Sequence, residues 1–324
     1  MKKFTTSTYA NLYLNAAEGL GLSIRIEDKK TSTARIFNAN THITIVSSNL
    51  GINTLKSKVK TDNKDITSGL LLKKGIPVPH FEIFVNQPEA LTYALSLLKK
   101  NIPIVVKPSD GSNARGVSVK PVTKLQLIRS INEAFSRSSK IIIEEYIEGQ
   151  HYRITVLDDE IIAITQRIPA YITGDSTSTV DKLIELKNII RAQKKLPLIT
   201  LRDKDHDYLK SADINLTNIY PNGENIRLQN GCDYEVGGER ERIDLHSVPL
   251  LNQKMFVRAI KTLKLRFGGI DYISPDITVP YTQITSAINE INYKPHQDVH
   301  YFDSSPNNNY AAERIIEKIF ERNT

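Results

Sequence analysis

A polar loop flanked by two glycines is the segment of this sequence best suited to chemistry. Gly111 and Gly116 enclose the loop, apolar runs at residues 104–106 and 117–119 flank it, and Lys107 stands just before it. Glycine can adopt positive φ angles, so backbone amides here can approach phosphate oxygens while the lysine supplies a positive charge. The same composition occurs in ordinary hairpin turns. The loop therefore predicts either a simple turn or a flap that closes over a triphosphate.

A group of oxygen donors forms a second candidate site. Residues 269–280 and 286–295 read as two strands joined by a short polar turn, which predicts a hairpin. If the turn is centred on Gln283, Asp276 lies opposite Glu290, and Asn292 lies on the same face as Glu290. Two carboxylates that face each other repel, and this donor set suits Mg²⁺. The alternative is a pair of acids that point to solvent.

The elements around these residues alternate between helix and strand patterns. Residues 102–145 predict strand, loop, strand, helix and strand, which is the plan of a small nucleotide lid. The stretch 198–230 is rich in Asp, Asn and Lys, and it predicts an irregular excursion or a mobile cover. The predicted helices are residues 9–20, 62–75, 88–100, 124–136 and 311–322, and predicted strands include residues 22–26, 41–46, 102–106 and 140–145. The fold class is therefore α/β.

Composition narrows the set of partners. The chain has 43 basic and 36 acidic side chains, which favours anionic ligands. Without an arginine-rich tract, nucleic acid is not an expected partner. The single cysteine excludes an internal disulfide, and no apolar run has the length of a membrane span or the form of a signal peptide. We therefore expect a cytoplasmic protein that does not bind membranes.

The motifs, taken in order, resemble those of the ATP-grasp ligases. Lys64 in a DNKDIT run, GIPVP at 75–79, the loop at 104–117, EEYIEG at 144–149 and EIN at 290–292 follow one another in the chain. Residues 167–180, RIPAYITGDSTSTV, look more narrowly like the ATP-grasp region of cyanophycin synthetase and its glutathione-ligase relatives. The resemblance covers residues 30–322. It implies three lobes: residues 1–75, residues 76–148 with a mobile lid, and residues 149–324 with the metal and substrate sites.

The resemblance also implies roles for individual residues. Two Mg²⁺ ions are expected at Asp276, Glu290 and Asn292. Arg153 and Arg167 are similar to family arginines that face the triphosphate or the substrate, which makes them the catalytic candidates. Backbone groups at 145–147 would read the adenine, and His151 stands where the family usually has an acid for the ribose. The residues expected to bind ATP are Lys64, Lys107, Gly111, Ser112, Gly116, Glu144, Glu145, Tyr146, Ile147 and His151.

Substrate residues are expected in the segment CDYEVGG at 232–238. Cyanophycin-type ligases have NLSTGG there, so Gly237 and Gly238 are kept, whereas Asp233 and Glu235 replace an asparagine and a serine. Two acids beside a substrate would favour a cationic group. Asp175, in the TGD motif, is expected at the same site.

The resemblance implies an ATP-dependent ligase that joins a carboxylate to an amine. Such an enzyme would couple amino acids, or extend a small peptide, through an acyl phosphate and release ADP and phosphate. One alternative is a nucleotide-binding regulatory module that has kept the fold and lost turnover. Another is a polyanion-binding protein, whose binding would be sensitive to salt and independent of ATP. The oligomeric state stays open, with a symmetric homodimer as the commonest arrangement.

Overall fold

The computed structural model describes residues 1–110, 115–302 and 308–321, and helices alternate with strands along them. The helices are α1 (Thr8–Gly19), α2 (Leu55–Asp62), α3 (Lys64–Leu72), α4 (Gln87–Lys99), α5 (Lys124–Phe135), α6 (Val180–Gln193), α7 (Asp203–Ser211), α8 (Leu250–Thr262) and α9 (Tyr310–Glu321). The strands are β1 (Ser23–Asp28), β2 (Thr33–Phe37), β3 (His42–Val46), β4 (Phe81–Phe84), β5 (Ile104–Pro108), β6 (Ser118–Val119), β7 (Ile141–Glu145), β8 (Gln150–Leu157), β9 (Glu160–Ile168), β10 (Tyr171–Thr173), β11 (Asn225–Arg227), β12 (Glu239–Arg242), β13 (Phe267–Ser274) and β14 (Ala287–Asn292). The α/β class predicted from the sequence is confirmed.

The chain divides into two compact units. The first consists of Met1–Ile164 and Ile243–Thr324, and the second of Thr165–Arg242. Strand β9 begins in the first unit and ends in the second. Most candidate residues for nucleotide and metal belong to the first unit, and the candidate substrate residues belong to the second. The predicted boundaries at residues 75 and 148 stay a prediction.

The N-terminal core of the first unit joins segments that are far apart in the sequence. Helix α1 packs on α9, and both contribute to the core that covers sheet β1-β2-β3. Ala311, Ile315 and Ile319 recur every four residues in α9, so the helix buries one apolar face. Arg314 and Lys318, also in α9, donate hydrogen bonds to Glu160. These bonds, with the one from Arg314 as the larger contribution, lower the pKa of Glu160 to about 2, although burial acts to raise it.

The lid has its own core in the antiparallel sheet β4-β7-β5-β6, where helices α4 and α5 cover one face. Val106, Leu127 and Ile143 are buried there. Helix α5 begins with a capping box between Thr123 and Gln126, which satisfies two backbone N–H groups at the start of the helix. The strand, loop, strand, helix and strand predicted for this part of the chain are confirmed as β5, β6, α5 and β7.

In the third sheet of the first unit, β13 lies between β8 and β14, and all three strands are antiparallel. Asp271 pairs with Arg153 on one side and with Glu290 on the other, and Gly269 pairs with Asn292. Directly opposed residues of a sheet project to the same face. Arg153, Asp271, Glu290 and Asn292 therefore share one face.

The register predicted for the β13–β14 hairpin is wrong. Strand β13 ends at Ser274, before Pro275, and Asp276 lies in the segment that connects the two strands. Its Oδ1 accepts hydrogen bonds from the backbone N–H and the hydroxyl of Thr278. Proline cannot donate to a sheet ladder, so Pro275 stops the strand earlier than the apolar pattern suggests. Asp271, and not Asp276, faces Glu290.

The second unit has a small core of its own. Strand β10 pairs with β11, and β12 pairs with the last residues of β9. The stretch 198–230, which the sequence predicted to be irregular, contains α7 and β11 and buries Leu209, Ile226 and Leu228. The prediction was wrong for α7 and β11, whose buried anchors are widely spaced in a polar segment and show no local periodicity, and the rest of the stretch lies outside helices and strands as predicted. A role as a mobile cover stays a prediction.

Candidate active site

A cavity of about 190 Å³ in the first unit collects many of the predicted nucleotide-binding residues. Its walls come from the lid sheet β4-β7-β5-β6 and from the sheet that contains β13 and β14. Apolar side chains such as Val105, Val117 and Ile273 line it next to charged ones, a combination typical of ligand pockets. The predicted residues that line it are Lys64, Lys107, Glu144, Glu145, Tyr146, Ile147, His151 and Glu290.

Lys107 and Glu144 form a buried ion pair in the wall of this cavity. Val105 pairs with Glu144 across β5 and β7, and Lys107 stands two residues further along β5. The Lys107 Nζ lies 2.6 Å from Glu144 Oε1, and the two side chains are 6% and 5% exposed. An ammonium group has three N–H donors. The contact with Glu144 therefore leaves Lys107 able to donate to a ligand phosphate as well.

The segment after β7 presents its backbone to the same cavity. The amide N–H of Glu145 donates to His80 O, and that of Tyr146 donates to Pro103 O, both at 2.8 Å. Those two donors are therefore used within the protein, which leaves the Ile147 amide as the donor for the predicted contact with a base. The Nζ of Lys120 lies 4.0 Å from the centroid of the Tyr146 ring. Contact with adenine stays a prediction for these residues.

Gly116, at the end of the glycine-flanked loop, lies close to two other residues of the lid. Gly116 has φ +72°, and a Cβ there would lie 3.1 Å from Pro108 Cγ and 3.2 Å from Arg137 Cγ. The positive φ and these close contacts both favour glycine at this position. Arg115 next to it lines the cavity. Gly111 and Ser112 lie outside the described residues, so their predicted contacts with phosphate stay predictions.

Two acids flanked by two bases lie in a row beside the cavity. Arg153 donates from Nε to Asp271 Oδ1 at 2.8 Å and from Nη2 to Oδ2 at 3.1 Å. Lys64 Nζ lies 3.5 Å from Glu290 Oε1. Although burial opposes its charge, Asp271 raises the pKa of the Arg153 guanidinium. The two bases therefore offset the repulsion between two carboxylates on neighbouring strands.

The acids and Asn292 keep oxygen atoms that suit a magnesium ion. Asn292 Nδ2 donates to Asp271 Oδ2 at 3.0 Å, so its own amide oxygen points away from that hydrogen bond. Asp271 accepts hydrogen bonds from Arg153 and Asn292, and its carboxylate oxygens are hard donors of the kind that Mg²⁺ prefers. Within the described residues, no group of three His, Cys, Asp or Glu side chains could hold a metal. An ion here would therefore combine Asp271, Glu290 and the Asn292 oxygen with ligands from water or phosphate.

Asp271 is the site residue that sequence reasoning missed. The signal was present in Pro275, because a strand that must end before that proline places Asp271 inside the ladder and Asp276 outside it. Asn289 then forms a bulge: Asp271 pairs with Glu290 and Tyr272 pairs with Ile288. The bulge places Asn289 in the wall of the cavity beside Glu290.

Gly149 lets the segment before β8 pass close to the end of β13. A Cβ at Gly149 would lie 2.6 Å from the carbonyl carbon of Ser274 and 2.8 Å from Pro275 N. His151, two residues later, pairs with Ile273 and lines the cavity. The glycine of the predicted EEYIEG motif is thus required by the approach of two backbones.

In the second unit, Arg167 and Asp175 each contact other residues of that unit. Arg167 pairs with Arg240 across β9 and β12, and its Nη2 lies 3.5 Å from Cys232 O. Asp175 accepts hydrogen bonds from the backbone and hydroxyl of Ser178 and from the backbone of Thr177, and these bonds hold its pKa well below the usual range. Asp175 therefore shapes the turn that leads into α6. Its predicted role with substrate stays a prediction, as does that of Arg167.

The predicted substrate segment around Asp233 forms a tight turn. The Asp233 carboxylate lies 2.8 Å from Arg202 Nη1 and 3.4 Å from Lys204 Nζ. Although burial raises it, the hydrogen bond from Arg202 and the charge of Lys204 give Asp233 a net lowered pKa. Two cations thus already neutralise this acid, which argues against the expectation that it attracts a cationic substrate. Glu235 is exposed.

The two glycines of this segment are required by packing. Gly237 has φ +103°, and a Cβ there would lie 2.6 Å from Ile199 Cα. At Gly238 a Cβ would lie 2.8 Å from Asp233 O. Both positions therefore have a structural reason for glycine. Their predicted contact with a substrate stays a prediction.

Comparisons with known proteins identify sequences similar to this chain. Residues 70–178 match the family model described as the D-ala D-ala ligase C-terminus. The glutathione biosynthesis bifunctional protein GshAB of Streptococcus agalactiae is 29% identical over 267 residues, which are 80% of this chain and 35% of that protein. Cyanophycin synthetase of Synechocystis is 28% identical over 274 residues, which are 81% of this chain and 30% of that protein. The chain thus spans about a third of the length of these relatives.

A solved structure shows the same fold over nearly the whole chain. The bifunctional glutathione synthetase from Pasteurella multocida superimposes with a TM-score of 0.67 at 21% identity, covering 97% of this chain and 43% of that one. The chain therefore has the ATP-grasp fold, and the resemblance predicted from the sequence is confirmed. Among the described residues, no helix is both long and apolar enough to cross a membrane.

Proposed function

We propose that this chain is an ATP-dependent ligase that joins a carboxylate to an amine. The observation that carries the proposal is the cavity in which Lys64, Lys107 and the segment 144–147 meet Glu290, with Asp271 and Asn292 beside it. This arrangement offers cations for a triphosphate, apolar walls for a base and oxygen donors for a metal. The similarity to a glutathione biosynthesis protein and to cyanophycin synthetase supports amino acids or small peptides as substrates.

The chemistry follows from what each group can do. A substrate carboxylate would attack the γ-phosphate of ATP, which gives an acyl phosphate and ADP, and an amine would then displace phosphate to form an amide. Lys64 and Lys107 would hold the phosphate oxygens, and the lid would exclude water from the acyl phosphate. Mg²⁺ bound at Asp271, Glu290 and Asn292 would neutralise charge on the phosphoryl group. No protein nucleophile is required.

The first test is ADP release by the purified chain with ATP, Mg²⁺ and pooled amino acids and dipeptides. We expect release that depends on the pool and falls at least about 100-fold in the Glu290→Gln and Asp271→Asn variants, because both lose a ligand for the metal. Asp276→Asn is the matched control. It removes an equal charge five residues along the chain, outside the cavity, and it should keep nearly full activity.

Two outcomes would contradict the proposal or its geometry. Saturable binding of Mg-ATP without release from any pool would favour a regulatory nucleotide-binding module that has lost turnover. Loss of activity in Asp276→Asn with full activity in Asp271→Asn would show that the metal residues follow the sequence register and not the structural one. If a pool supports ADP release, dividing it into smaller pools would identify the two substrates.

A further inference from the structure

The outer face of sheet β1-β2-β3 carries an unusual pair of like charges. Its inner face, with Ile24, Ile36 and Ile45, belongs to the core under α1 and α9. On the outer face Arg25 pairs directly with Arg35 across β1 and β2. Residues opposed in this way have Cβ atoms about 5 Å apart, and like charges there destabilise the sheet.

The charges of this pair are only partly compensated. Arg35 Nη2 lies 3.1 Å from Glu27 Oε1. Its Nε is hidden from solvent and has no hydrogen-bond partner. Arg25 is exposed and makes no ion pair with any residue that the structure describes. A donor that is hidden from solvent and has no partner is unfavourable, so the interactions within the protein leave this pair of arginines incompletely satisfied.

Another arginine pair, in the second unit, shows what compensation looks like. Arg167 also pairs directly with Arg240. There, the Arg240 guanidinium lies 3.6 Å from the centroid of the Tyr234 ring, and Arg167 donates to a backbone carbonyl. Each of these two guanidinium groups therefore meets an electron-rich partner within the protein. Arg25, in contrast, makes no ion pair or contact with an aromatic ring among the residues that the structure describes.

The two arginines open into a polar cavity of about 350 Å³. None of the residues that line it is acidic, and Asn40, Thr41 and His42 supply further polar groups. Asn38 Oδ1 accepts hydrogen bonds from the backbone of Asn40 and Thr41, which fixes the turn between β2 and β3. Phe37, two residues after Arg35 on the same face of β2, pairs directly with His42 of β3. The cavity is therefore rich in donors on a rigid sheet.

We propose that this cavity binds the oxyanion of a small molecule, a phosphate or carboxylate group, between Arg25 and Arg35. Planar guanidinium groups match both anions with paired N–H donors. The anion would remove the repulsion between the arginines and accept hydrogen bonds from the exposed parts of their guanidinium groups. The site is separate from the cavity around Lys107, with which it shares no lining residue, and the proposal does not depend on the ligase activity.

The test is a titration of the full chain, with ¹⁵N-labelled arginine, with inorganic phosphate and, separately, with succinate. The Nε–Hε signals of Arg25 and Arg35 are assigned from Arg25→Gln and Arg35→Gln. Both signals should shift together and saturate, and each variant should weaken binding at the remaining arginine at least tenfold. The anion that saturates at lower concentration identifies the preferred oxyanion. Sodium chloride at matched ionic strength is the reference.

Arg129→Gln is the matched control, because it removes one exposed positive charge from α5 and should leave the titration unchanged. Shifts that stay linear with concentration and equal those in sodium chloride would overturn the proposal, since they would report only screening. Saturation by heparin but by neither small anion would also overturn it, in favour of a polymeric partner.

Discussion

The buried pair of Lys107 and Glu144 gives the sharpest quantitative prediction for this chain. The two charges lie 2.6 Å apart with almost no exposure to solvent. At an effective dielectric constant of about 20, such a pair attracts by roughly 6 kcal/mol, which compensates for the removal of both charges from water. Replacing one partner by an apolar side chain removes that attraction and leaves the other charge buried.

We therefore expect Lys107→Met and Glu144→Leu each to lower the free energy of unfolding by about 3–5 kcal/mol. The double variant removes both charges together, so it should be no less stable than either single variant. This implies a coupling energy of at least about 3 kcal/mol in a double-mutant cycle. Urea denaturation followed by circular dichroism measures all four proteins.

The exposed pair Arg137–Glu133 on α5 is the matched control. Its Nη2–Oε1 distance is 2.9 Å, but both side chains are 49% exposed. The same cycle there should give a coupling below about 1 kcal/mol, because water screens the charges. Single variants of the buried pair that cost less than about 1 kcal/mol and combine additively would refute the reasoning. Such a result would mean that solvent reaches Lys107 freely.

Three other predictions concern packing, pH and magnesium. Gly149→Ala should lower the melting temperature, since its Cβ would clash at 2.6 Å with strand backbone, whereas Gly69→Ala within α3 has open space and should stabilise by up to about 1 kcal/mol. The pKa of Glu160 is lowered to about 2 from 4.5, so its stabilising contribution is present above pH 4.5 and is lost between pH 4.5 and 2. In Glu160→Gln, the urea midpoint should therefore change less with pH between pH 4.5 and 2 than it does in the unmodified chain. Arg153→Met should destabilise by about 3 kcal/mol and regain part of this with Mg²⁺, and adding Asp271→Asn should abolish the Mg²⁺ effect.

The sequence was most informative where local rules decide the structure. Apolar spacing placed α1, α4, α5 and α9, and the alternation of helix and strand patterns was enough to predict an α/β fold with a lid. Lys107 and Glu290 were selected by their residue types and Lys64 by the family resemblance, and all three line one cavity. Local propensity is informative here because each of these elements buries one regular face.

The sequence was least informative where pairing between distant residues decides which side chains form the site. Asp271 and Asp276 are both acids in one apolar run, and Pro275 is the only local signal that separates them; the end of β13 at Ser274 and the bulge at Asn289 then fix the pairing. A shift of one residue in a strand exchanges its two faces, so a small error in turn position replaces the site residues completely. The occupied carboxylate of Asp233 illustrates the same limit, because Arg202 and Lys204 lie about thirty residues away in the sequence.

Both lysines expected to bind phosphate are held by acids before any ligand arrives. Lys107 is 2.6 Å from Glu144, and Lys64 is 3.5 Å from Glu290. An ammonium group can donate to an acid and to a phosphate at once, so the ligand adds to these contacts and does not need to break them. The acids hold two long side chains in place in the protein without ligand, which lowers the conformational entropy that binding must overcome. The same acids would reduce the net positive charge of the cavity. The arrangement therefore favours a ligand that brings its own cation, as Mg-ATP does, over a bare polyanion.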